Sequence, residues 1–160
     1  MTRTSLIRAA LGAALALTAA CATVNAEEKY PPLSDALAQT ECSACHMAFS
    51  AAFLPARSWN AVMAGLEDHF GENAALDPAA TQQIASYLAA NAADTRRRGK
   101  FMRNLDASAT PLRITETPYW LRKHRPGEVS PAEFLDPKVG SKANCVACHR
   151  DAARGNYDDD

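Results

Sequence analysis

The stretches CSACH at 42–46 and CVACH at 145–149 each place two thiols three residues apart and an imidazole directly after the second. Covalent haem attachment requires that arrangement. Two thiols about one helical turn apart each form a thioether with one porphyrin vinyl group, and the adjoining imidazole reaches the iron. Cys42, Cys45, Cys145 and Cys148 are therefore the expected attachment points of two covalently bound c-type haems, with His46 and His149 as their proximal ligands. A single C-x-x-C-H can arise by chance; two in one short chain form a much stronger pattern. Four cysteines in an oxidising compartment could instead close two disulfides. A zinc site could also use four, but zinc-ribbon pairs lie about 15–20 residues apart, and a long, partly helical stretch separates Cys45 from Cys145. A thioredoxin-like site would need one C-x-x-C in a βαβ context, and no β-rich alternation is present.

The remaining histidines decide the iron chemistry. The chain has four, so once His46 and His149 are assigned only His69 and His124 are left for two haems. Upstream of His69, the run RSWNAVMAGLEDHF spaces Trp59, Val62, Met63, Leu66 and Phe70 as one apolar helical stripe. This predicts a helix over 59–70 stopped by Gly71, with His69 beside a face that packs against porphyrin. His124 follows TETPYWLRK, in which Thr117 as N-cap and Pro118 at the first helical position start a short helix. His124 then shares a side with Trp120 and Leu121. The thioether of Met63 competes for the first iron and that of Met102 for the second. Met47 is too close to His46 to reach the opposite face.

The first 26 residues read as an export leader. Arg3 and Arg8 precede a small, apolar run over 9–20, and Val24-Asn25-Ala26 matches a small-residue cleavage site. The apolar part is too short to span a bilayer comfortably. LTAAC at 17–21 loosely resembles a lipoprotein box, which makes a lipid on Cys21 the minor alternative to a soluble periplasmic chain. Cleavage after Ala26 leaves 134 of the 160 residues, with 15 basic against 18 acidic side chains. A net charge near −3 does not suggest a nucleic-acid binder.

The mature chain divides into an N-terminal haem domain at 27–105 and a C-terminal haem domain at 106–160. In the first, a short helix over 35–41 with Ser34 as its cap leads into CSACH, and Asp77-Pro78 opens a further helix with Ile84, Tyr87 and Leu88 on its apolar face. The basic stretch Arg96, Arg97, Arg98, Lys100, Arg103 reads first as a solvated helix end and linker, and second as a docking patch for an acidic redox partner. The second part is rich in proline and charge. SPAE at 130–133 suggests a capping box on one brief helix. So few residues bury little core by protein alone, and the haem would have to serve as staple and core.

CSACHMAF, LPARSW, LEDHFGENAALD, SYLAANAAD, RITETPYW with His124 downstream, and PKVGSKANCVACHR occur in an order that resembles the small exported dihaem cytochromes c with bis-histidine ligation, over about 30–157. The resemblance implies a mainly α fold: a class I cytochrome c-like N-terminal unit and a C-terminal segment with little regular structure. It also implies low-spin irons and electron transfer, with a membrane b-type cytochrome and a small oxygen-binding monohaem cytochrome as redox partners. The simplest assignment keeps His46 with His69 and His149 with His124. Two irons closed by protein ligands leave no position for peroxide or oxygen, so the chain is expected to carry electrons rather than act as an enzyme. A subunit of a periplasmic reductase such as nitrate reductase is the nearest alternative; a dihaem peroxidase or a gas sensor fits a chain of this length less well.

Overall fold

A computed structural model of the protein describes residues 29–95 and 99–158. The export leader with Cys21, and Arg96, Arg97 and Arg98 of the basic stretch, lie outside the described residues. The fold is mainly α, and among the described residues extended pairing is limited to two isolated bridges, Lys29 with Asn156 and His69 with Glu72.

Three helices build the first half: α1 (Ala36–Cys42), α2 (Ala56–Ala64) and α3 (Pro78–Ala90). Each start has a chemical cause. Asp35, rather than Ser34, caps α1 by accepting from the Ala38 amide at 2.8 Å. The Ser34 hydroxyl is instead 3.0 Å from that of Tyr87, which ties α1 to α3. At α3, Asp77 Oδ1 accepts from Ala79 and Ala80, and Pro78 fills the first turn, where its missing N–H costs nothing. Pro55 cannot cap α2 with a side chain. Asp94, beyond the end of α3, supplies the carboxylate, accepting from the Ala56 amide at 2.9 Å. Between α2 and α3, Trp59, Met63, Ile84 and Leu88 form a buried cluster with Leu33 and Leu54.

The helix predicted over 59–70 is shorter than its stripe. α2 ends at Ala64 with Gly65 as its cap, and a 3-10 turn, Leu66–Asp68, carries the chain to His69. Only Trp59 and Met63 of the stripe are buried, and Phe70 is 44% exposed at a φ of 60°. Gly65 is the physical reason: glycine disfavours continuation of the helix, and the tighter 3-10 turn takes over as far as His69.

In the second half, α4 (Pro118–Lys123) is the one α-helix among the described residues, joined by four three-residue 3-10 turns and otherwise by irregular chain. The SPAE capping box does not form. Ser130 Oγ accepts from Ala132 at 3.3 Å rather than from Glu133, and only a 3-10 turn, Glu133–Leu135, follows. A second buried cluster, Phe53, Ala93, Phe101, Tyr119 and Trp120, takes side chains from both sides of residue 105, with Tyr30 and Tyr157 packed against it. Arg57 of α2 donates to the Ala109 carbonyl at 2.6 Å, another link across that point.

Candidate haem-binding sites

Each C-x-x-C fits within one turn of the backbone. Cys42 is the last residue of α1, and Ser43 caps it by donating to Gln39 O. Cys145 opens a 3-10 turn, with Cys148 N donating to Cys145 O at 3.2 Å and His149 N to the same carbonyl at 2.8 Å. Within each pair the second thiol, Cys45 or Cys148, is exposed, and the first is partly covered. No disulfide joins any of these four cysteines, and among the described residues no three His, Cys, Asp or Glu side chains gather as a metal-ion site. Burial pushes the Cys42 thiol up, with the Glu41 carboxylate adding to it, and burial pushes Cys145 up to about 11.

The four imidazoles come together in two pairs. His46 and His69 have ring centres 6.2 Å apart, and His124 and His149 have theirs 6.1 Å apart. Two metal–nitrogen bonds of about 2 Å, with each nitrogen about 1 Å from its ring centre, span about 6 Å. The spacing fits one iron between each pair. Burial first, then His46 and the Arg113 guanidinium, hold the His69 imidazole below its ordinary value, which keeps it neutral and its lone pair free to ligate. Three rings are oriented through Nδ1 by backbone carbonyls: His46 by Met47 at 2.7 Å, His124 by Trp120 at 3.0 Å and His149 by Asp158 at 3.3 Å. Such contacts fix ring orientation and raise ligand basicity.

His69 is held differently. Its backbone exchanges two hydrogen bonds with Glu72, at 2.7 and 3.3 Å, and Asp68 Oδ1 accepts from Gly71 at 2.9 Å, so a tight loop presents the ring. Arg113, from the other half of the chain, lies over the neighbouring Phe70 ring at 3.9 Å. Met63 is buried with Trp59 and Ile84, and Met102 packs against the aromatic cluster. Two contacts lie outside what the motifs indicate: the Phe49 ring, 4.8 Å from that of His46, and Arg113 over Phe70. Phe49, three residues after His46, was open to notice; nothing in the sequence pairs residues 70 and 113.

The family model for dihaem cytochrome c matches residues 38–157. The chain belongs to the dihaem cytochrome c family. This dihaem cytochrome therefore carries two covalently bound c-type haems, and the family supports a role in electron transfer. Among solved structures, the chain is similar to the dihaem cytochrome c of Rhodobacter sphaeroides, with 54% identity and a TM-score of 0.75 over 79% of this chain and 99% of that one. A second structure, of the protein purified from the same organism, gives 53% and 0.64 over 78% and 98%. The dihaem cytochrome of Shewanella baltica OS155 gives 39% and 0.62 over 77% and 86%. A comparison with curated protein sequences gave no match.

Proposed function

We propose that this dihaem cytochrome is a periplasmic electron carrier whose irons are both closed by two histidines, His46 with His69 and His149 with His124. The observation that carries the reading is the spacing of the ring pairs, 6.2 and 6.1 Å, which matches one iron held between two imidazoles. Cys42 and Cys45 hold the first haem and Cys145 and Cys148 the second, since each pair directly precedes one histidine of a ring pair. When bound, each haem supplies one-electron exchange at its iron. The protein's part would be to hold each iron with two imidazoles, His46 with His69 and His149 with His124, so that little would rearrange on reduction and no position would be open to substrate. Two imidazoles lack the potential-raising effect of an axial methionine, so the potentials lie below those of His/Met cytochromes.

Export is supported by the leader features at 1–26, and mass spectrometry of the mature N-terminus tests it against a lipid on Cys21. The proposed partners, a membrane b-type cytochrome and a small oxygen-binding monohaem cytochrome, rest on the resemblance of the segments quoted above. Stopped-flow reduction and reoxidation with those two proteins tests the pairing.

Optical spectra of the oxidised and reduced protein, with and without carbon monoxide, test the ligation. Low-spin spectra unaffected by carbon monoxide are expected, with His69→Ala and His124→Ala each turning one haem high-spin. Rapid carbon monoxide binding by the unaltered protein would overturn the closed reading and point to a catalytic or sensing haem. A near-infrared sulfur-to-iron band would replace a histidine with Met63 or Met102.

A further inference from the structure

The two ring pairs share a spacing but not an orientation. The planes of His46 and His69 lie 22° apart, and those of His124 and His149 lie 88° apart. The crossed pair has a neighbour that explains it. The Trp120 indole lies flat on the His124 ring, with centres 4.1 Å apart and planes at 11°. The Trp120 carbonyl is also 3.0 Å from His124 Nδ1. A ring held by one face and one nitrogen cannot turn about its Cβ–Cγ bond without losing both contacts. Trp120 is itself fixed: it is 6% exposed, its amide donates to Thr117 Oγ1 at 3.3 Å, and the Phe134 ring packs 5.8 Å away. Among the described residues no ring lies flat on the distal imidazole of the first pair, where Phe70 meets His69 tilted by 57°.

We propose that Trp120 is a positioning residue for the second haem, holding the His124 imidazole across that of His149 and so making the two haems of one chain electronically different. The proposal rests on the bis-histidine reading above. An imidazole donates π density into iron orbitals selected by the plane of its ring. Two parallel rings load one orbital of the pair and split its energy from the other. Two crossed rings load both equally, and the pair stays nearly degenerate. Electron paramagnetic resonance of low-spin ferric iron reads that splitting directly: a large splitting gives three spread, rhombic g values, and near-degeneracy gives one very large g value.

Frozen solutions of the oxidised two-haem protein test this. Two low-spin signals of equal weight are expected, one rhombic and one with a far larger maximal g. In Trp120→Leu, which keeps bulk and loses the flat face, the large-g signal is expected to be lost and replaced by a second rhombic one, with the first unmoved. Trp120→Phe, which restores a flat ring, is expected to keep it. A pyridine haemochrome count confirms two haems in each sample. Two rhombic signals in the unaltered protein, or a large-g signal that survives in Trp120→Leu with both haems present, would overturn the proposal. If Trp120→Leu loses its second haem, Trp120→Phe decides: retention of the large-g signal supports the clamp, and conversion to a rhombic one overturns it. A high-spin signal in the unaltered protein is a separate result, the failure of the ligand assignment itself.

Discussion

Gly155 and Gly71 both hold a left-handed backbone, at φ of +85° and +102°, yet their surroundings differ sharply. A Cβ on Gly155 would stand 2.0 Å from the Tyr30 carbonyl oxygen, and a Cβ on Gly71 would meet nothing within 4 Å. Gly71→Ala should therefore cost about 1 kcal/mol, the backbone penalty alone. Gly155→Ala should cost about 3 kcal/mol or more, because two backbones must part, and urea titrations followed by circular dichroism will rank the two. Tyr157 makes a separate prediction for pH. Burial first, then the Cys145 sulfur, raise its phenol far above the ordinary value, and the burial part remains once that sulfur is a thioether. With the folded pKa above the unfolded value of about 10, the stabilisation is complete below about pH 10 and is lost as pH rises toward the folded value. Tyr157→Phe should blunt alkaline unfolding between about pH 10 and 12; identical profiles for the two proteins would refute the assignment. At this scale the thiols and their adjoining histidines were the most readable positions, since covalent attachment dictates a local pattern. Arg113 over Phe70 was not readable, since nothing near either residue in the chain refers to the other.

Among the elements, α3 and α4 begin alike, with a capping side chain and then a proline, but they carry different loads. Asp77 caps a helix that faces α1 and α2, whereas Thr117 caps the six-residue helix that carries Trp120 and ends at His124. Asp77→Ala should lower stability by about 1 kcal/mol and leave the haem spectra unchanged. Thr117 is fully buried, and its hydroxyl also donates to Ile114 O at 2.7 Å. Thr117→Ala should cost about 2 kcal/mol and raise the high-spin fraction at one haem alone, readable in the optical spectrum during mild heating. Both starts were legible because a cap and a following proline are neighbours in sequence. The end of α2 was not, because Leu66 and Phe70 continue its apolar period after the backbone has tightened at Gly65. Ser130 failed as a box for a related reason: its hydroxyl reached the second amide ahead of it instead of the third, and a turn formed where a helix was expected.

For the whole molecule, residues 106–158 form no helix longer than the six residues of α4, so the covalently held haem must replace much of the missing protein core. Cys145→Ala with Cys148→Ala should leave one haem with its low-spin spectrum intact. Trypsin cleavage within the C-terminal half should quicken about tenfold or more, as followed by mass spectrometry of the fragments. Faster cleavage with loss of the first haem's spectrum would show that the halves cannot stand apart. The sequence suggests a boundary at 105/106, where composition changes, but composition carries no trace of the cluster in which Phe53 and Phe101 meet Tyr119, with Tyr30 and Tyr157 beside them. That cluster is completed when the Tyr30 amide donates to Gly155 O at 2.8 Å, joining the two ends of the described chain. In kinetic terms this is a contact of very long sequence separation. Its loop-closure entropy must be met before any of its packing is gained, and such closures slow folding. A chain that emerges residue by residue keeps its aromatic cluster open until Gly155 and Tyr157 arrive. Completion of the cluster should therefore wait on the segment that follows directly on the second attachment motif.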